Sequence, residues 1–141
     1  MELENRGLGI IFHSGAYDRL HHGLSIALAA LALGRRVRFL FTYWALECLK
    51  RDDPSALEDV VDKEEDSAHI QTIQENIKKG HLENISELIV RTKALGAEFY
   101  TCTNSMSLLN IDRDELIDQV DRPMGLTTFL DEAVGDQIPF I

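Results

Sequence analysis

Covalent chemistry in this sequence rests on few residues, chiefly two cysteines, Cys48 and Cys102, more than fifty positions apart. Such a separation gives neither a CxxC metal pair nor a disulfide framework, so each reads as a free thiol. The reactive form is the thiolate, and a cysteine gains reactivity where unpaired amides or positive charge favour that form. Cys102 closes a short run, Glu98 to Cys102, that reads as a strand, and a helix start is predicted near Ser105. There the sulfur faces open amides and the positive end of a helix dipole, at a crevice edge where serine would be tolerated in its place. The competing reading is that Cys102 is a small buried hydrophobe, as most free cysteines are. Cys48 lies within a predicted helix beside Leu46 and Leu49 and reads as core.

In a parallel α/β sheet, ligands bind beyond the carboxyl ends of the strands. That rule selects three segments: His13-Ser14-Gly15-Ala16-Tyr17, Thr42 to Trp44, and Cys102-Thr103-Asn104-Ser105-Met106. His13 carries an imidazole, the side chain type suited to donating or accepting a proton, although a lone histidine is more often structural. His21 and His22 have no third ligand at a fixed spacing, so no metal is indicated. Gly7, Gly9 and Gly15 form neither a phosphate loop nor a dinucleotide fingerprint, and the sequence implies no cofactor.

The elements that would position these residues follow from periodicity. Leu8 to Phe12 is a continuous apolar run suited to a strand buried on both faces. Leu20, Leu24, Ala27, Leu28 and Leu31 recur at helical spacing, with Asp18 placed to cap the start and Gly34 to stop the helix. Val37 to Tyr43 reads as the next strand, which makes a right-handed crossover unit and sets the fold class as α/β with a parallel sheet. A polar helix is predicted around His69 to Lys79. A second stripe from Leu82 to Leu95 carries a capping box at Asn84 and Glu87 and a stop at Gly96. Asp112 and Glu115 suggest a helix over Arg113 to Gln119, and Leu126 to Val134 a last one closed by Gly135. Ile138 to Ile141 would be a strand at a sheet edge, because Pro139 has no amide hydrogen. The total is about five strands, in a single domain spanning residues 1–141.

The net charge of -10 argues against nucleic acid and against anionic membrane surfaces. Residues 52–66 hold eight acidic groups against Lys63 alone, and this segment is predicted to be solvated, with fast hydrogen exchange. The apolar stretch from Leu24 to Leu33 has about half of the 20 or so residues that a membrane span needs. The opening Met1-Glu2-Leu3-Glu4 is acidic where a secretory signal is basic, so a cytoplasmic location is the expectation.

Residues 98–111, EFYTCTNSMSLLNI, followed by DRDELIDQV, resemble the DsrE/DsrF-like family of small sulfur-relay proteins. Cys102, Ser105, Met106, the acidic stretch Asp112 to Gln119 and Gly125 carry the likeness, as does the opening GIIFHSGAYDRLHHGLSIALAALALGRRVRFLFTYWAL. The sequence departs from the pattern at Arg122-Pro123-Met124, in place of a more glycine-rich segment, and at Asn104 and Asn110. The resemblance implies a flavodoxin-like three-layer sandwich, a homo-oligomer, and persulfide sulfur carried on Cys102 between sulfur-donor and sulfur-acceptor proteins. A sulfurtransferase activity would follow, with His13, Ser14, Asn104, Ser105, Met106 and Gly125 around the thiol. The alternative is a non-catalytic accessory or small-ligand-binding module of the same fold, in which Cys102 is only packed. A nucleotide- or flavin-binding role draws on fold analogy alone. Self-association is also predicted from the apolar first helix.

Overall fold

A computed structural model describes residues 6–51 and 67–141. The acidic segment 52–66, predicted to be solvated, lies outside the described residues. Four strands, β1 (Leu8–Phe12), β2 (Val37–Phe41), β3 (Glu98–Cys102) and β4 (Arg122–Met124), form one parallel sheet in the order β1-β2-β3-β4. Between them run α1 (Tyr17–Ala32), a 3-10 helix (Tyr43–Leu49), α2 (Ser67–Lys78), α3 (Ile85–Ala94) and α4 (Thr103–Leu108). After β4, α5 (Leu126–Glu132) leads the chain back to the outer side of β1.

The sheet has four strands where about five were expected, and the physical cause is Pro139. Residues 137–141 run parallel to β1 and exchange hydrogen bonds with it: Gln137 N–H to Gly7, Gly9 N–H to Gln137, Ile11 N–H to Pro139, Ile141 N–H to Ile11 and His13 N–H to Ile141. The one missing rung is the amide of residue 139, which would donate to Gly9. Proline has no such hydrogen, so the ladder breaks into two isolated bridges, Leu8 with Gln137 and Ile11 with Phe140. The edge position expected for this segment is the one it takes.

Side chains alternate across each strand, so the sheet has two distinct faces. Leu8, Ile10 and Phe12, then Val37, Phe39 and Phe41, then Phe99 point toward α1 and α3 and build the larger core. Phe12, Phe39, Phe41 and Phe99 form a connected aromatic cluster there, with ring centroids 4.8–5.8 Å apart. At Gly23 helix α1 approaches so closely that a Cβ would lie 2.3 Å from the Phe12 ring. Of the stripe Leu24, Leu28 and Leu31 that suggested self-association, Leu24 is buried against the sheet, while Leu28 and Leu31 are partly buried and pack against the same core. The opposite face holds a smaller cluster of Leu40, Tyr100, Cys102, Met124, Phe129 and Ala133. Gly9 lets α5 lie close on this face, since a Cβ there would meet Phe129 and Ala133 at 3.4 and 3.5 Å.

Several helix ends follow the sequence, and others do not. Asn84 accepts from the Glu87 amide at 2.8 Å, which completes the cap of α3, and Gly96 ends that helix region with a φ of +103°. Asp18 does not cap α1: the N-cap is Ala16, and Asp18 sits in the first turn where the helix dipole favours a carboxylate. The helix predicted over Arg113 to Gln119 is only a 3-10 turn, Arg113–Glu115, because Asp112 makes no cap bond and the buried Leu116 takes an extended conformation that bridges Lys50. β2 ends at Phe41, short of the predicted Tyr43, where the 3-10 helix takes over. β4 was not predicted. Its strand contains Pro123, which an edge strand tolerates.

At the amino end of the strands, Arg38 is buried between two carboxylates, Glu98 at 3.0 Å and Asp136 at 3.0 Å, while Arg36 adds a second contact to Glu98. This network fastens the segment after α5 to β2 and β3. Asp136→Ala would leave Arg38 with one partner. A loss of about 2 to 3 kcal/mol is expected, at the lower side of what breaking a buried pair costs because Glu98 remains. Urea unfolding measures it, and a change below about 0.5 kcal/mol, the scatter of ordinary surface substitutions, would mean the network is not what holds this end.

Candidate functional site

β3 runs Glu98-Phe99-Tyr100-Thr101-Cys102, and its alternation puts Phe99 on the α1 and α3 face and Tyr100 and Cys102 on the α5 face. α4 begins at the very next residue, with Cys102 itself as N-cap at φ -71° and ψ 117°. An N-cap side chain stands where it can accept from the second and third helical amides, those of Asn104 and Ser105. In this conformation the sulfur makes no such bond. The helix starts two residues earlier than predicted, which brings the thiol into the cap position itself.

Cys102 does not sit at an open crevice edge, as position alone suggested, but is 3% exposed and belongs to the smaller core with Met124, Tyr100 and Phe129. The cover is thin, since α5 has only seven residues and the helix layer opposite has α1 and α3. Tyr100 lies beside Arg122, whose guanidinium stands 5.6 Å over its ring, and burial pushes the phenol's pKa upward, helped by Glu98 and Glu132. Cys48 has a different setting. It is fully buried in the larger core, and desolvation holds its thiol far above its ordinary value.

The other predicted site residues divide between the two faces. Gly125 is adjacent to the thiol's strand end, with space for a Cβ 3.9 Å from Thr103 Oγ1. Asn104 is exposed on the first turn of α4, and Ser105 is buried with no hydrogen-bond partner for its Oγ. Met106 belongs to the opposite core, where its sulfur accepts from Thr101 Oγ1 at 3.2 Å, so the structure does not bring it to Cys102. His13 and Ser14 end β1, two strands and therefore roughly 10 Å from β3. The Ser14 hydroxyl accepts from the Ala16 amide at 3.1 Å, a local turn. Asn110, noted as a departure, has φ +53° after α4, a conformation that asparagine tolerates better than most residues.

Sequence reasoning missed the aromatic neighbours of His13. Its ring lies 5.0 Å from Tyr43 and 5.6 Å from Phe140, and Tyr43 continues to the exposed Trp44 at 6.3 Å. Tyr43 holds a φ of +45°, a left-handed conformation unusual for a bulky side chain. The available signal was the run Thr42-Tyr43-Trp44 immediately after a strand. A cleft of about 530 Å³ opens elsewhere, at the start of α3 along Glu83, Asn84, Glu87, Val90 and Arg91. Among the described residues no group of three or more His, Cys, Asp or Glu side chains is placed to hold a metal, and no helix is long and apolar enough to cross a membrane.

Cys48 also supplies a pH dependence. Its folded-state pKa lies above the unfolded value of 9.0, so its contribution to stability is complete below pH 9 and declines as pH rises beyond it. Stability measured from pH 8 to 10 should therefore fall more steeply for the natural chain than for Cys48→Ala. Parallel curves would show that Cys48 is not sealed in the folded state.

Comparison with known proteins agrees with this architecture. The YrkE protein of Bacillus subtilis, itself uncharacterized, is 23% identical over 143 aligned residues covering 88% of this chain and 89% of that protein. Two solved structures share the fold with a TM-score of 0.57 each. One is MTH1491, a protein of unknown function from Methanobacterium thermoautotrophicum, at 14% identity over 96% of this chain and 98% of that one. The other is the ychN protein of E. coli, at 13% identity over 96% and 99%. Residues 59–141, more than half of the sequence and including β3, Cys102, β4 and α5, match the family described as DsrE/DsrF/DrsH-like. The chain belongs to the DsrE/DsrF/DrsH-like family.

Proposed function

We propose that this protein is a sulfur carrier that holds sulfane sulfur as a persulfide on Cys102 and relays it between partner proteins. The observation that carries the reading is the placement of Cys102 as the N-cap of α4 at the carboxyl end of β3. This is where an α/β sheet presents functional groups, and the other thiol is sealed in the larger core. Membership of a family that includes sulfur-relay proteins supports the same chemistry.

The proposed step is a displacement at sulfur. The Cys102 thiolate attacks the outer sulfur of a donor protein's persulfide, a new S–S bond forms on Cys102, and the donor's S–S bond breaks to release its thiolate. A proton on the transferred sulfur travels with it, and no external oxidant or reductant is consumed. Delivery to an acceptor thiolate repeats the step in reverse. The chain needs one thiolate, amide donors near it, and a surface for its partners.

The burial of Cys102 favours a second reading, an accessory or small-ligand-binding module in which this thiol is only packed. Incubation with a sulfane donor followed by intact mass and peptide mapping separates the two. The carrier reading expects an adduct of about 32 Da, one sulfur atom, on Cys102 and none on Cys48. Because Cys102 is surrounded by apolar groups, Cys102→Ala is the better control than Cys102→Ser, which would bury a hydroxyl. Cys102→Ala should abolish the adduct and Cys48→Ala should keep it. No adduct on the folded natural chain would leave the packed-cysteine reading standing.

Self-association belongs to the same proposal, on different residues from those the sequence suggested. Leu126, Leu130 and Val134 recur at helical spacing along the outside of the α5 segment and are 49%, 47% and 77% exposed. Light scattering at micromolar concentration should give a multiple of 15.9 kDa, and Leu130→Glu should lower it. A monomer mass for the natural chain would count against the oligomer.

A further inference from the structure

Just past β1 the chain fixes an imidazole in place and gives its nitrogens nothing to bind. The His13 amide donates to the Ile141 carbonyl at 2.7 Å, and the His13 carbonyl accepts from the Ala45 amide at 3.3 Å. The ring has Tyr43 and Phe140 as neighbours, with centroids 5.0 and 5.6 Å away. Tyr43 takes its place with φ +45°, a strained conformation for a bulky side chain and one that tends to persist at functional sites. The loop beside it is equally tight, because a Cβ at Gly15 would lie 2.7 Å from the Trp44 carbonyl oxygen. Among the described residues no hydrogen bond or ion pair reaches a ring nitrogen of His13.

Strand register puts this imidazole on the same face as the thiol. Ile11 pairs with Leu40, Leu40 with Tyr100 and Tyr100 with Arg122, and Ile11 also bridges Phe140, so these side chains share the α5 face. Two residues further along each strand comes the row His13, Thr42, Cys102 and Met124. The ladder reaches that far, since the Thr42 amide donates to the Phe12 carbonyl at 2.8 Å and Cys102 pairs with Met124. Thr42 forms a floor between His13 and Cys102, because it is buried and its hydroxyl is also turned down onto the Phe12 carbonyl. Cys102 belongs to the buried part of the row, whereas His13 stands beside Trp44 and Phe140, which are 57% and 69% exposed. A thiol that arrives from solvent along this row meets the imidazole first.

We propose that His13 is the general base that ionises the acceptor thiol when sulfur leaves Cys102. A ring nitrogen takes the proton of the acceptor S–H, and the thiolate so formed attacks the outer sulfur of the Cys102 persulfide. A new S–S bond forms on the acceptor, the old one breaks, and its electron pair returns to Cys102 as thiolate. The imidazolium then gives its proton to solvent. His13 and Cys102 stand two strand spacings apart, roughly 10 Å at the backbone. The transferred sulfur and the attacking sulfur beyond it take up about 4 Å of that gap, and the imidazole with one hydrogen bond spans the rest. The inference rests on the sulfur-carrier reading and supplies the group that serves its delivery step.

The size of the effect depends on the acceptor. An ordinary thiol is only a few per cent thiolate at pH 7, so a base that ionises it gains about ten- to thirtyfold. The full chain, loaded with glutathione persulfide, is discharged at pH 7 by glutathione, whose thiol is mostly protonated, or by cysteine methyl ester, whose thiol is more than half ionised. Intact mass follows loss of the adduct of about 32 Da. His13→Gln keeps a hydrogen-bonding amide but no basic nitrogen. It should slow discharge to glutathione about ten- to thirtyfold and discharge to cysteine methyl ester less than about threefold. Alkylation of Cys102 by iodoacetamide involves no acceptor and should proceed at the natural rate, which also reports an intact fold. Equal discharge rates in the natural chain and His13→Gln would overturn the base, and so would equal losses with both acceptors, the mark of a merely structural role. A changed alkylation rate would place the effect on Cys102 itself and overturn it too. An adduct that forms normally with unchanged discharge sinks only the base, whereas no adduct on the natural chain sinks the carrier reading and this inference with it.

Discussion

The parity of β3 governs what this protein can do. Side chains alternate along a strand, so moving the register by one residue would exchange every contact across the sheet. With Phe99 committed to the aromatic cluster under α1 and α3, Cys102 three positions on must face the other way. It therefore falls on the face that has a seven-residue helix for cover, while the other thiol lies within the thicker layer. Two cysteines of one chain are separated by their surroundings: one fully desolvated in the larger core, one in the smaller core at the start of a helix.

The return of the chain to the outer side of β1 is the second constraint. Residues 137–141 protect an edge that would otherwise present open amides and carbonyls, and Pro139 limits the ladder they form. Arg38 then couples that edge to the sheet, because its guanidinium reaches Glu98 on β3 and Asp136 immediately after α5. A buried arginine would be costly alone, and the two carboxylates offset that cost while fixing where α5 ends. The far end of α5 is thus set from the amino end of the sheet.

Much of this was legible in the sequence, for identifiable reasons. Strand β3 was found to the residue because a short run bounded by Gly96 and a helix start has few alternatives. The α3 cap was found because Asn84 and Glu87 satisfy a pattern with a local mechanism. Sequence failed where the deciding contact is distant. Asp112 and Glu115 look like a helix start, but backbone bonds from Arg51 to Glu115 and from Ile117 to Leu49 draw the chain into an extended bridge after three residues. β4 was invisible because three residues containing a proline carry no periodicity, and its pairing with Tyr100 to Cys102 exists only in three dimensions. At the site, position along the chain identified Cys102, and the family resemblance added Gly125, which lies just after the strand paired with Cys102. It could not show that Met106 turns to the other face, since that follows from which side of α4 meets the sheet.

A thin cover suits a sulfur carrier better than either an open thiol or a sealed one. Cysteine oxidation follows exposure and thiolate character, so a thiolate held permanently in water at a helix start would be open to sulfenic acid formation and to mixed disulfides with any passing thiol. A thiol as deeply buried as Cys48 avoids this but exchanges with nothing. Between these limits, accessible time is set by the free energy of local opening, and about 1.4 kcal/mol changes it tenfold. That range is the same as the effect of one helix cap or one glycine. On the proposed reading, strengthening the packing around Cys102 would protect the sulfur and slow its transfer by the same factor. A partner that binds the open form supplies the remaining selectivity, because it stabilises the exposed thiol only when an acceptor is at hand.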